Sequence, residues 1–318
     1  QLEKTGGSTK LDLANSIWTD DDKAVIEEEW LKTVKAYFGP DIYSADLPSD
    51  GALKAINKWV NDKTNGMIPK LHDDNYDKDT IMVLLNALYM KADWAHKFEG
   101  QDTYDREFAK ADGSTVTVPF MNMFEAYESY IKTEDAEGIM LPYDDGRLAF
   151  IALKPGSGDA RGYAASLTGA KLKEAIAAAK ADTFVTVNMP KFDTEYSVYL
   201  TDALKAMGMT DAFDPFLADL SGAGRGVDGP LYISYVFQKV KVDVNEEGTE
   251  AAAVTEIATA KGCALPADEP IVLTFDKPFV YAIVDTETGV PLFAGVMENP
   301  EAKQKIIKKS KKRLKAPF

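Results

Sequence analysis

Cysteine is almost absent from this chain: Cys263 is the only one in 318 residues. A single thiol excludes an internal disulfide and any cysteine-rich metal site. Histidine is nearly as scarce. His72 precedes Asp73 and Asp74, and His96 sits in Trp94-Ala95-His96-Lys97-Phe98. Two isolated imidazoles argue against a histidine metal centre or a Ser-His-Asp triad. No Asn-x-Ser/Thr sequon occurs, and no apolar run is long enough to span a bilayer. The start, Gln1-Leu2-Glu3-Lys4-Thr5-Gly6-Gly7, lacks a basic stretch followed by an apolar one, so it does not read as a signal peptide. Positive charge is also in deficit. The 36 Lys and Arg face 51 Asp and Glu, for a net charge of -15. Such a body repels nucleic acid and gains nothing from counterion release. The exception is residues 303–315, with eight Lys or Arg. They read as a flexible, solvated tail, residues 301–318; attachment to an anionic surface is the alternative.

Motifs for catalysis or ion binding are missing as well. Asp73, Asn75 and Asp77 mimic the start of a calcium loop, but Lys78 takes the place of the required Gly and Leu84 that of the closing Glu. Gly222-Ala223-Gly224-Arg225-Gly226 leads towards a strand, with no helix N-terminus to hold a phosphate, so it reads as a flexible turn. Carboxylates are so common that no pair stands out as acid and base. The residues give no argument for an enzyme, a cofactor or a metal.

What is present is a mixture of helical and strand periodicities. The length allows one large domain or two ordinary ones. Residues 11–18 partly alternate and read as a strand. Residues 20–37 carry helical spacing behind Asp20-Asp21-Asp22, charges that suit a helix N-terminus. Residues 50–63 form a second helical pattern, with Ala52, Leu53, Ile56, Trp59 and Val60 on one face. Residues 80–89 are nearly all apolar and read as a central strand buried on both sides. Hairpin turns fit Lys110-Ala111-Asp112-Gly113 and Tyr143-Asp144-Asp145-Gly146. A helix is expected over 170–181, strands over 184–192 and 231–244, and two or three more over 272–293. With no regular βαβ repeat, the fold class is α+β with large antiparallel or mixed sheets.

Residues 245–260 fit this picture least well. Glu and Ala favour a helix from Glu246. Yet the segment follows a strand without a break and also fits a period of two. Thr249, Ala251, Ala253, Thr255, Ile257 and Thr259 are small or β-branched, while Glu250 and Glu256 fall on the other face. No Pro occurs from Gly248 to Leu265, so every backbone N–H there could join a ladder. A segment with one small neutral face can enter a gap in a sheet.

Asn245-Glu246-Glu247-Gly248-Thr249-Glu250-Ala251-Ala252-Ala253 resembles the hinge of the serpin reactive-centre loop. Other matches follow in order along nearly the whole chain. Asn86-Ala87-Leu88-Tyr89-Met90-Lys91-Ala92-Asp93-Trp94 resembles the third strand of the serpin main sheet. Phe108 with Val116-Thr117-Val118-Pro119-Phe120-Met121 resembles the next hairpin. Met189-Pro190-Lys191-Phe192 and Ala218-Asp219-Leu220-Ser221-Gly222 are similar to further serpin motifs. Asp276-Lys277-Pro278-Phe279, Pro291-Leu292-Phe293-Ala294-Gly295 and Asn299-Pro300 resemble the C-terminal strands.

The resemblance implies an α+β serpin fold over residues 1–300: a large central mixed sheet, two smaller sheets and surrounding helices. The first helices and the strand backing the core are expected to be missing from this chain. It implies a suicide-substrate inhibitor of serine proteases, not an enzyme, with a bait loop over about 246–270. The target protease cleaves the loop and forms an acyl-enzyme. The hinge, Glu246, Glu247, Gly248, Thr249, Glu250, Ala251, Ala252, Ala253, Val254 and Thr255, then inserts as a new strand. Counting from Gly248 puts the scissile bond near Gly262-Cys263, and counting back from Lys277 puts it near Ala267-Asp268. Cleavage is placed within Ala260, Lys261, Gly262, Cys263 and Ala264. Lys261 suits a trypsin-like pocket; the small residues suit elastase- or subtilisin-like pockets, and cysteine proteases are secondary targets. Cys263 reads as a small exposed residue or as a redox-sensitive bait.

At the breach, Lys191 and Glu246 are expected to form an ion pair beside Trp94. At the shutter, Asn86 is expected to face Gln238, which holds the usual His position. No nucleic-acid partner, membrane span or cofactor is implied. A monomer acting extracellularly is the expectation. The alternatives are a non-inhibitory carrier or chaperone and a polymerising fragment.

Overall fold

Elements form where the periodicities are strongest and where backbone groups find partners. The computed structural model describes residues 7–249 and 269–301. In chain order the elements are β1 Lys10–Thr19, β2 Ala24–Ile26, α1 Glu28–Phe38, β3 Asp41–Ser44, α2 Asp50–Lys63, β4 Met82–Asp93, β5 Tyr104–Ala109, β6 Thr115–Lys132, β7 Ala136–Pro142 and β8 Leu148–Pro155. There follow α3 Ala160–Ser166, α4 Gly169–Ala177, β9 Ala179–Pro190, β10 Phe192–Tyr199, α5 Thr201–Ala206, β11 Gly224–Gly226, β12 Phe237–Val244, β13 Gly248–Thr249, β14 Ile271–Thr274, β15 Phe279–Asp285 and β16 Val290–Met297. The described residues divide into two compact units, 7–11, 90–194, 242–249 and 269–301 in the first, and 12–89 and 195–241 in the second. A six-stranded sheet has the order β10-β12-β13-β4-β1-β3, and β1, β4, β10 and β12 each contribute residues to both units.

The first unit is built on an eight-stranded sheet of order β14-β9-β6-β7-β8-β15-β16, with β5 on β6. Two further sheets were expected beside the main one, and two accompany the six-stranded sheet: the β11-β2 pair and this eight-stranded sheet, most of whose strands are joined through one long strand. β6 has 18 residues and pairs with β5 at one end, β7 at the other, and β9 along most of its length. The register shifts between Met123 and Ala126, beside Glu125 at φ 51°, so one strand serves both ends by bending. Against this sheet α3 and α4 bury Ala160, Tyr163, Leu172 and Ala175 on Ile151, Leu153, Val280 and Ala282.

In the second unit, α2 starts at Ser49, whose hydroxyl accepts from Ala52 N at 3.1 Å. Its buried residues are Ala52, Ile56, Trp59 and Val60, while Leu53, expected on the same face, is only half-buried. Ile56, Trp59 and Val60 pack in one core with Trp18, Leu47, Ile68, Tyr76 and Ala87. Val83, Leu85 and Ala87 of β4 face it, but Leu84 is 60% exposed. The expectation of a strand buried on both sides therefore fails: alternate side chains leave the core.

Three other boundaries differ from the sequence reading. The helix expected over 20–37 begins only at Glu28. Asp20 is buried, takes a 2.7 Å salt bridge from Lys23, and its carbonyl accepts from Lys23 N and Ala24 N, so its charge organises a turn. Residues 24–26 pair antiparallel with Gly224–Gly226, the stretch expected to be a free turn. A Cβ on Gly224 would lie 2.5 Å from Val25 O, so that glycine serves close approach. Residues 231–236 lie outside any strand. Ile233 N bonds to Ala212 O, and Val236 O accepts from Leu200 N. The helix expected over 170–181 stops at Ala177 because Ala179 and Lys180 pair with Ile131 and Tyr130. Among the described residues no helix is long and apolar enough to cross a membrane, and no cluster could hold a metal ion.

The β15–β16 turn is fixed by Asp285. Its buried carboxylate takes Arg147 Nη2 at 2.7 Å and Nε at 3.2 Å, and Glu287 N at 3.1 Å. The Arg147 guanidinium holds the carboxyl down at about 2, against the cost of burial. A depressed folded value stabilises above the unfolded value of 3.8, and the gain is lost as pH falls towards 2. Asp285→Asn is therefore expected to cost on the order of 2 kcal/mol near neutral pH. In urea titrations the difference from the parent should shrink as pH drops below 3.8; a pH-independent difference would refute the assignment.

Candidate functional site

The site grows from the end of β4. Trp94 follows that strand and is 2% exposed. Its indole stacks on Tyr143 at 4.8 Å and 7°, with Phe98 and Phe150 edge-on. A buried indole N–H needs a partner, and Nε1 donates to Asn245 O at 2.9 Å. The same segment grips the chain just beyond β12. Trp94 N donates to Glu247 O at 2.8 Å, and Phe98 N donates to Glu246 O at 3.0 Å. Lys97 Nζ reaches Glu247 at 2.7 Å and Asp93 at 3.1 Å. The Glu247 carboxylate raises the Lys97 pKa most; burial opposes it, and Asp93 adds a further upward push.

Residues 245–248 form a tight turn closed by Asn245 N donating to Gly248 O at 3.0 Å, with Glu247 N donating to Asn245 Oδ1 at 3.0 Å. Glu246 is largely buried. It takes Lys191 Nζ at 2.6 Å and the Thr103 hydroxyl at 2.7 Å. Burial pushes its pKa up, but Lys191 and Thr103 outweigh burial and leave it below the ordinary value. The expected ion pair between Lys191 and Glu246 is thus present in the first unit, as is Trp94. Lys191 is aimed there by β9: it follows Pro190, which pairs with Phe120, and its N–H donates to Pro119 O at 2.9 Å.

Gly248 and Thr249 then enter the sheet as β13. Gly248 pairs with Asp93, and Thr249 pairs with Ala92 on one side and Val244 on the other. A Cβ on Gly248 would collide with the carbonyl of Ala92 and lie 2.8 Å from Asp93 Cα. Thr249 is 3% exposed, and its hydroxyl lies 2.6 Å from that of Tyr143. Thus Glu246, Glu247, Gly248 and Thr249 meet Trp94 and Lys191 in one cluster. Glu250, Ala251, Ala252, Ala253, Val254 and Thr255, with Ala260, Lys261, Gly262, Cys263 and Ala264, lie outside the described residues.

The shutter pair is not brought together. Asn86 Nδ2 donates to Asn15 Oδ1 at 3.0 Å, and Gln238 is exposed. The reason lies in the sheet order. β1 adjoins β4, so Asn15 is within reach, whereas β12 is not a direct neighbour of β4. Three contributors were not foreseen. Tyr143 lay in a stretch read only as a turn, and Thr103 and Lys97 carried no motif of their own.

A family model described as "Serpin (serine protease inhibitor)" matches residues 1–300. Serpin B10 of Otolemur garnettii is 36% identical over 278 residues, covering 86% of this chain and 69% of that protein. The leukocyte elastase inhibitor of Homo sapiens is 34% identical over 310 residues, covering 94% of this chain and 80% of that protein. The solved structure of a thermophilic serpin, tengpin, in the native state superposes with a TM-score of 0.85 at 34% identity, over 94% of this chain and 76% of that one.

The close approach at Gly248 generates a test. Gly248→Ala cannot keep both pairings of β13, so the Gly248 and Thr249 amides should exchange with deuterium at least tenfold faster, while those of β8 and β15 keep their protection. Unchanged protection at residues 248 and 249 would show that the hinge tolerates a side chain there.

Proposed function

The chain belongs to the serpin family, and on that premise we propose that it inhibits serine proteases as a suicide substrate. Members of this family are protease inhibitors rather than enzymes. The observation that carries the reading is Thr249, the first small residue of the bait loop, already paired on both edges between β12 and β4. A strand that has begun to form can lengthen once the loop beyond it is cut.

In this reading a protease attacks the loop within residues 260–264 and becomes acylated. Cleavage releases the hinge from its far anchor at β14. Thr249, Ala251, Ala253 and Thr255 then turn one small face inwards and add a full ladder of hydrogen bonds. The tethered protease is carried with the strand and its active site is distorted, so the ester is not hydrolysed. Insertion competes with deacylation, and only fast insertion traps. The small side chains of Ala260, Cys263 and Ala264 favour an elastase- or subtilisin-like target, and Lys261 a trypsin-like one. A relative named leukocyte elastase inhibitor supports the first choice.

Mixing the protein with elastase, subtilisin and trypsin should give a complex that survives a denaturing gel for at least one of them. Cleaved chain alone with every protease would reject the reading and favour a carrier or chaperone. Thr249→Arg puts a charge where the structure has a buried hydroxyl, at a desolvation cost that insertion cannot recover. That variant should be cleaved at the same bond, with complex yield reduced at least tenfold.

A further inference from the structure

Tyr143 has no part in the reading above, yet it is fully buried and its hydroxyl meets the hinge. Tyr143 Oη lies 2.6 Å from Thr249 Oγ1, and either hydroxyl can donate. Burial raises the phenol pKa, so the group stays neutral and able to hydrogen-bond in both senses. Its ring cannot turn away. It is stacked on Trp94, which is pinned through Nε1 to Asn245 O and through its backbone N to Glu247 O. Tyr143 is fixed at the other side as well: its N–H donates to Leu148 O at 3.0 Å and its backbone pairs with Trp94.

Both hydroxyls are therefore held in dry surroundings facing each other. If Thr249 left the sheet, the phenol would lose that hydrogen-bond partner, a loss that disfavours departure. We infer that Tyr143 is a positioning residue that holds Thr249 inside the sheet before any protease arrives, so that insertion starts from a formed first residue. It explains why a hydroxyl, rather than only a small apolar group, stands at position 249. The inference rests on the suicide-substrate reading for its consequence, since pre-positioning matters most where insertion races deacylation.

The test is a double-mutant cycle with Tyr143→Phe and Thr249→Val, each close in shape to the parent side chain. Two quantities are read: deuterium exchange at the amides of residues 248 and 249, and the number of inhibitor molecules consumed per protease trapped. Each single variant leaves one buried hydroxyl unpaired and should speed local exchange about tenfold. Each should raise the consumption several-fold, with cleavage at the same bond. The double variant buries neither hydroxyl and should recover most of both losses. Single variants that match the parent, or losses that simply add in the double variant, would overturn the inference and leave Tyr143 with packing alone. The exchange arm needs no protease. If the parent traps none, the suicide-substrate reading fails, while exchange still decides whether Tyr143 holds Thr249.

Discussion

Gly248 passes so close to Ala92 and Asp93 that any side chain there would enter the Ala92 carbonyl. The rest of the site depends on this approach. It lets Gly248 pair with Asp93 and delivers Thr249 to Ala92 and Val244. Without it Thr249 would not reach its pairings or the Tyr143 hydroxyl, and the proposed insertion would have no first residue in place. A glycine at the entry and a small hydroxyl residue after it meet two separate demands: backbone proximity, then a buried polar contact.

Around that entry the structure places charges that hold the turn but not the strand. Glu246 is tied to Lys191 and Thr103, and Glu247 to Lys97. Both lie before Gly248, so the proposed insertion beyond Thr249 would not require their ion pairs to break. The aromatic group Trp94, Tyr143, Phe98 and Phe150 supplies a rigid wall. Fixed anchors on one side and a run of small residues on the other are what a hinge requires.

Much of this was legible in the residues. The segment from Glu246 to Thr249, Trp94 and Lys191 were named from sequence because the motifs around them resemble those of serpins, with a period-two pattern starting at Thr249. Tyr143 was not, because its partner lies 106 residues away and its neighbours signal only a turn. The shutter expectation failed for a related reason. It relied on strand adjacency, and adjacency to β4 belongs to Asn15 rather than Gln238. The expected helix over 20–37 was shortened because Asp20, read as a dipole charge, instead closes a turn through Lys23. The continuous apolar run over 80–89 also misjudged Leu84, which is exposed although its strand was expected to be buried on both sides. Local rules thus recovered most elements, and the family resemblance pointed to the segment from Glu246, while contacts set by topology were not legible.

The central claim is that the sheet accepts the bait loop once it is cut. Thermal unfolding of the intact chain, compared with the chain nicked within residues 260–264 by a protease that is then removed, tests it most directly. Insertion adds a strand with its ladder and buries the small face, so the nicked chain should unfold at a clearly higher temperature than the intact one. A nicked chain that unfolds at the same or a lower temperature would contradict the account.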